Sequence, residues 1–260
     1  MLKYFDSHCH PQMEAFDEDR EAVLARMKET GTGGLVVGTD LKKSREAIAL
    51  SDNYDFLWAA VGLHPNDLDE EFDEAAFRKL AEHKRVVAIG ECGLDYFRNE
   101  PTQEERVRQH SRFKKHLALA QETRKPLVIH CRPTKGGENA HEEMLSLLSG
   151  ETGVCAIMHF FTSTPDIANR YLALGHHISF PGVITFTGDY DDTVRAVPLE
   201  RVLSETDSPF AAPSSHRGKR NEPVYVSEVV AKLSELKALP IGAVEEQVLK
   251  NTLSVFGLDR

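Results

Sequence analysis

Tyr4-Phe5-Asp6-Ser7-His8-Cys9-His10-Pro11 decides how the rest of the chain is read. Tyr4–His8 has the apolar, β-rich character of a short strand, and the residues directly after it separate two architectures. An open, doubly wound α/β sheet usually carries a glycine-rich phosphate loop after its first strand. Here the strand runs into two histidines one residue apart and then a proline, with no GxGxxG. Gly31, Gly33 and Gly34 come before a later strand, where they read as a helix stop and turn.

Seven further runs repeat the strand character: Leu35–Thr39, Leu57–Leu63, Val86–Gly90, Leu127–His130, Val154–His159, His177–Phe180 and Val202–Thr206. Most are uninterrupted apolar sequence, as expected of parallel strands covered by helices. Helical signals lie between them. Phe113, Leu117 and Ala120 fall at i, i+4 and i+7 among charged residues. Ser163-Thr164-Pro165-Asp166 offers a hydroxyl cap and a proline for the first helical position. Val226, Val229, Val230, Leu233 and Leu236 keep helical spacing, and a last helix is expected near Val244–Phe256. Eight strand–helix alternations without a phosphate loop predict an α/β fold, a single (β/α)8 barrel of the TIM type over residues 1–260. No internal repeat, low-complexity tract or linker divides it.

The 260 residues suit such a barrel, which commonly needs roughly 250. Lys plus Arg total 31 against 41 Asp plus Glu, a net charge of −10. That balance excludes broad non-specific adhesion to nucleic acid but leaves room for a local basic patch. The N-terminus lacks the basic-then-apolar pattern of a secretory signal, and no apolar run approaches the roughly 20 residues of a membrane span. A cytoplasmic protein is expected. The four cysteines form no CxxC pair. Cys9, Cys92 and Cys131 each follow a candidate ligand, so strand alternation should turn them away from it into the sheet–helix layer.

The chemistry sits at strand ends. Side chains i and i+2 share a face, which sends His8 and His10 together into the barrel mouth. Glu91 closes the fourth strand, His130 the fifth, His159 the sixth and Asp207 the eighth. Alone, a histidine there is commonly a hydrogen-bonding residue, and a carboxylate commonly a helix cap. Six on one rim are another matter, because barrel enzymes build their sites at that rim and imidazoles with carboxylates suit a borderline divalent cation. The same test sets other histidines aside. His83, His110, His116 and His141 lie among charges on helical stretches and are expected to be solvated; His176 and His177 open the seventh strand at the opposite rim. His64 closes the third strand at the right rim and could contact substrate or support the ligands.

The loop Ser215-His216-Arg217-Gly218-Lys219-Arg220-Asn221-Glu222-Pro223 leaves the same rim. Its plain reading is a solvated turn. In an acidic chain, however, Arg217, Lys219 and Arg220 beside a flexible glycine are candidates to clamp phosphate oxygens.

Taken in order, Asp6-Ser7-His8-Cys9-His10, Gly62-Leu63-His64-Pro65, Gly90-Glu91-Cys92-Gly93-Leu94-Asp95, Ile129-His130-Cys131-Arg132, Glu205-Thr206-Asp207-Ser208-Pro209 and Gly218-Lys219-Arg220-Asn221-Glu222-Pro223 resemble the TatD family of metal-dependent deoxyribonucleases. The resemblance spans nearly the whole chain. It implies two divalent metal ions bridged by Glu91, with His8 and His10 on one and His130 and His159 on the other. Asp207 would bind a metal and orient or deprotonate the attacking water. It also implies trimming of DNA from the 3′ end, on single strands or frayed ends, without a membrane or an obligate protein partner. The donor set favours Zn2+ or Mn2+ by ligand preference, whereas nucleases often use Mg2+.

The chain departs from the family pattern at Asn66, Pro133, Phe160, Ser163 and an enlarged Lys135-Gly136-Gly137-Glu138-Asn139 loop. All of these are expected to face substrate and to spare the ligands. Substrate choice therefore stays open at this level: a small ester, lactone, amide or phosphotriester, the ester joining a D-amino acid to transfer RNA, or recognition by a metal-bound scaffold without turnover.

Overall fold

The computed structural model describes residues 2–67, 70–97 and 101–258. Its sheet contains β1 (Tyr4–Cys9), β2 (Thr32–Val37), β3 (Leu57–Val61), β4 (Val86–Asp95), β5 (Leu127–Arg132), β6 (Ala156–Met158), β7 (His177–Phe180) and β8 (Val202–Ser204). They lie side by side in chain order, all parallel. Just beyond β8, Ser208 bridges Cys9; Asp207 N donates to His8 O at 2.9 Å and His10 N to Ser208 O at 2.8 Å. The last strand thus returns to the first, and the expected barrel is what forms.

Parallel neighbours cannot be joined by tight hairpins. Crossovers are supplied by α1 (Arg20–Thr30), α2 (Leu41–Asn53), α3 (Glu74–Ala81), α4 (Gln103–Thr123), α5 (Asn139–Leu148), α6 (Pro165–Ala173) and α7 (Asp191–Ala196). After β8 come α8 (Val226–Lys237) and α9 (Ile241–Val255). Phe113, Leu117 and Ala120 form the buried face of α4, and all five apolar positions read on α8 are buried. Thr164 caps α6 by accepting from Ile167 N, with Pro165 in the first turn.

Alternation along the strands creates two apolar layers. Leu35 and Val37, Val128 and Ile157 belong to the cluster inside the barrel, where Phe5 stacks on Trp58 and meets Phe256 beyond the end of α9. Val36, Leu127, Ile129, Ala156 and Met158 point the other way, under the helices. Each fully buried aliphatic side chain contributes about 1.5–3 kcal/mol over its exposed state, which makes one-residue slips of register costly.

Three sequence expectations change. Only Gly31 stops a helix, with φ 69; Gly33 and Gly34 lie inside β2, where a Cβ on Gly33 would stand 3.1 Å from Leu2 and Phe5. β4 does not end at Gly90 but continues to Asp95, with its register against β5 shifting between Ile89 and Cys92. A Cβ on Gly90 would lie 2.5 Å from Val128 O, so glycine is what allows the strand to pass. Finally, His116 and His141 are buried, not solvated. His116 Nδ1 lies 2.9 Å from Arg112 O, its Nε2 accepts from Leu63 N, and His141 Nδ1 lies 3.1 Å from Tyr171 Oη. No helix among the described residues is long and apolar enough to cross a membrane.

Candidate metal centre

Local irregularity aims the ligands. In β4, Ala88 faces the barrel interior and Ile89 the helices. Strict alternation would then send Glu91 outward. The shift between Ile89 and Cys92 turns Cys92 into the helix layer instead and Glu91 into the mouth. β1 shifts similarly between Asp6 and Cys9: Cys9 Sγ lies 3.3 Å from Leu35 O, while His8 and His10 bring their Nε2 atoms within 3.1 Å of each other. Cys9 and Cys92 therefore point away from their neighbouring ligands, while Cys131, 3.8 Å from Tyr171 Oη, also borders the cleft.

Six side chains meet around Glu91. Its Oε2 lies 3.4 Å from His8 Nε2 and 4.0 Å from His10 Nε2, and Asp207 Oδ1 stands 3.4 Å from His10 Nε2. Its Oε1 lies 3.1 Å from both His130 Nδ1 and His159 Nε2. His64, for which the sequence leaves two roles open, brings Nε2 to 3.3 Å from that same oxygen, its ring edge-on to His130. Three overlapping nests result, His8–His10–Asp207, His64–Glu91–His130 and His8–His159–Glu205, each compact enough to hold an ion. His8 stacks on His159 at 3.7 Å, which keeps the nests contiguous.

The far side of three rings is anchored. His10 Nδ1 lies 2.8 Å from Val37 O, His130 Nε2 2.8 Å from Asp95 Oδ2 and His159 Nδ1 3.1 Å from Glu205 Oε1. Each acceptor holds a ring N–H and leaves the other nitrogen's lone pair facing the centre, which is how metal-ligating histidines are commonly fixed. The donor set and its anchoring fit divalent cations. Asp95 is itself held by Asn66 Nδ2 and Phe97 N, and Glu205 by Phe160 N. Both acids lie within the sequence motifs, yet strand-end spacing alone gives them no role. Glu205 does stand two residues before Asp207 in the same motif, a signal the sequence carries.

Charge is balanced internally. Burial pushes the Glu91 carboxyl up, but His64, His159 and His8 more than offset it and hold the group well below the usual range. Asp207 is likewise lowered, burial being outweighed by His10 and the neighbouring rings. Burial pushes His159 down, yet Glu205 and Glu91 raise it well above an ordinary imidazole. Asp95 is drawn to about 2, its burial outweighed by the bond to His130. Phe160 and Asp207 adopt left-handed backbone, with φ 49 and 56, an energetic cost tolerated where side chains must be aimed.

The centre lies at the floor of a cleft of about 1000 Å3, lined among others by Asn66, Phe97, Arg132, Lys135, Phe160 and Phe210. Most positions that depart from the family pattern thus do face the cleft; Ser163 stands behind it and holds Glu138 at 2.8 Å. The basic loop does not converge on the centre. Arg220 bonds to Asp19 through two 2.7 Å contacts and lies over the Phe16 ring, so its guanidinium is turned to that acid and not to the centre. Arg217 covers Phe186, and neither Arg217, Lys219 nor Arg220 lines the cleft.

An eight-stranded parallel barrel with this donor set at its C-terminal mouth defines a metal-dependent hydrolase. The model of the TatD-related DNases matches residues 5–257, and the chain belongs to the TatD family. It is 35% identical over 262 residues to the metal-dependent hydrolase YabD of Bacillus subtilis, covering 98% of this chain and 99% of that one. It is 32% identical over 268 residues to the 3′-5′ ssDNA/RNA exonuclease TatD of Klebsiella pneumoniae, covering 98% of each. The solved structure of the TatD homolog YjjV from Escherichia coli K12 superposes with a TM-score of 0.87 at 29% identity over 98% of both chains. A TatD-family hydrolase from Entamoeba histolytica, 22% identical over 99% of both, shares the fold with a TM-score of 0.83.

Proposed function

We propose that the chain is a nuclease that hydrolyses phosphodiester bonds at the 3′ end of single-stranded or frayed DNA. His8, His10, Glu91, His130, His159 and Asp207 would hold two divalent cations, Zn2+, Mn2+ or Mg2+. The observation that carries this reading is the division of Glu91: its two oxygens face separate sets of nitrogens at 3.1–4.0 Å, the arrangement of a bridging ligand. When bound, such a pair would lower the pKa of a water and neutralise charge on the phosphate oxygens.

The side chains have distinct tasks. Glu91 and the four histidines fix the floor of the cleft. Asp207, partly exposed at its edge, is positioned to accept the proton of the attacking water and to orient it toward phosphorus. His64 shares Glu91 Oε1 and completes the wall beside His130. Arg217 and Lys219, on the same rim but outside the cleft, are suited to phosphates further along a strand. The exonuclease name carried by the Klebsiella relative and a cleft wide enough for a chain end support nucleic acid over a small ester.

The test is release of nucleotides from end-labelled single- and double-stranded DNA across Mg2+, Mn2+ and Zn2+, beside a panel of simple esters and lactones. Metal-dependent shortening from the 3′ end supports the reading. Rapid turnover of an ester with no nucleotide release overturns it.

A further inference from the structure

Besides its histidines, the charged groups lining the cleft are five acids, Asp67, Glu91, Asp95, Glu138 and Asp207, and two cations, Arg132 and Lys135. Both are exposed, and neither forms an ion pair among the described residues. Elsewhere in the molecule cations are commonly satisfied: Arg26 by Glu222, Arg78 by Glu122, Arg170 by Glu142 and Arg220 by Asp19. Two exposed cations left without an acidic partner on the cleft wall are available to an arriving anion.

Both are also held in place. Arg132 is two residues beyond His130 on β5, so its side chain leaves the same face. Its guanidinium carbon lies over the Phe97 ring, 3.7 Å from the centroid. That contact restrains the group while its N–H donors stay free for a bidentate acceptor. Lys135 sits on the turn Thr134–Gly137, closed by Gly137 N donating to Thr134 O at 2.9 Å, with Gly136 at φ 77. Asn139 Oδ1 accepts from Thr134 N, and Glu138, the acid nearest in the loop, is occupied by Ser163. The enlarged loop is therefore an ordered turn that carries a free ammonium over the cleft.

We propose that Arg132 and Lys135 form a subsite for a second phosphate beside the reacting one. The preferred substrate would then be a nucleotide chain end bearing two phosphates in succession. The proposal rests on the phosphodiesterase reading above and names the substrate feature that reading lacks. Two residues of strand separate Arg132 from His130 by about 6.6 Å, on the scale of one nucleotide of an extended chain.

Two measurements on the metal-loaded protein test it. The first compares KM for thymidylyl-thymidine, with one phosphodiester, and its 5′-phosphorylated form, in the wild type and in R132A/K135A. The second measures, by calorimetry, binding of thymidine 5′-monophosphate and thymidine 3′,5′-bisphosphate to the same proteins. The second phosphate is expected to improve KM and affinity at least about tenfold, as one or two charge-assisted contacts allow. That advantage should collapse in the double variant and largely survive in Lys135→Arg. Equal handling of the paired ligands by the wild type, or an advantage that persists in R132A/K135A, overturns the proposal. Failure of the phosphodiesterase reading is distinguishable: neither dinucleotide is hydrolysed, while the calorimetric comparison still decides the subsite.

Discussion

Asp95 Oδ2 stands 2.8 Å from His130 Nε2, and that contact dictates which nitrogen of His130 faces Glu91. Glu205 does the same for His159 from the opposite wall. Both acids act through a ring, so their loss should appear first as weakened cation binding. Asp95→Asn and Glu205→Gln are each expected to lower metal affinity by roughly 10–100-fold, measured by chelator competition, with the circular dichroism of the barrel retained. Unchanged affinity would show that the rings are oriented by packing alone.

Cation removal should cost stability as well as activity. Glu91 and Asp207 carry negative charge into the same floor, and a cation at about 100 times its Kd stabilises by about 2.7 kcal/mol. For a chain of this size that corresponds to a fall in Tm of roughly 5–10 °C on chelation. The sign with pH is set by His10, His130 and His159, which hold protons more firmly than free imidazole because neighbouring carboxylates outweigh their burial. Protons compete with cations for those nitrogens, so the thermal shift should grow as pH rises. A shift independent of pH would exclude these rings as ligands.

Asp207→Asn keeps the shape of the side chain and removes its basicity. If Asp207 takes the proton of the attacking water, kcat should fall by about 10²–10⁴-fold while nucleotide binding changes far less. A KM effect without a kcat effect would reassign it to substrate contact.

Much of this is legible in the sequence because the six ligands occupy strand ends, where a period of two and a fixed rim leave little choice of direction. The features that are not legible have physical reasons. Glu91 reads as closing its strand, whereas the register shift that turns it inward depends on how closely β5 passes Gly90. Arg220 finds Asp19 across 201 residues, a pairing with no local trace. The burial of His116 does leave a trace. It falls three residues after Phe113 and four before Ala120, on the apolar face, although its charged neighbours in sequence suggest a solvated position. His141, four residues before Leu145, is disguised in the same way.

Those two histidines contribute to an acid limb of stability, together with His176 and His177, which burial also lowers to about 4. Burial lowers each from 6.5 to about 4, so between these values the unfolded chain binds protons that the folded chain refuses. Their contribution is complete above pH 6.5 and is lost as pH falls toward 4. For His116, which is fully buried, the loss is on the order of 3 kcal/mol. Urea midpoints should drop over that interval, and His116→Gln should flatten the drop. An equally steep limb in the variant would move the effect elsewhere.

Arg220→Ala should read out as stability. Its bidentate bond to Asp19 is partly exposed, so a cost of roughly 1 kcal/mol is expected, visible in Tm. A large KM effect at unchanged Tm would return Arg220 to a substrate role.

The closure of the barrel has one more consequence. His8 and His10 belong to its opening strand and Asp207 to the turn after its final one, and they face each other across the join where His8 O receives Asp207 N. A cation shared by the three would act as a clasp, fastening the first strand of the barrel to a segment synthesised some two hundred residues later. A chain interrupted before that segment would carry most of the ligands and still be unable to draw them tight, so catalytic competence and topological completion would arrive together.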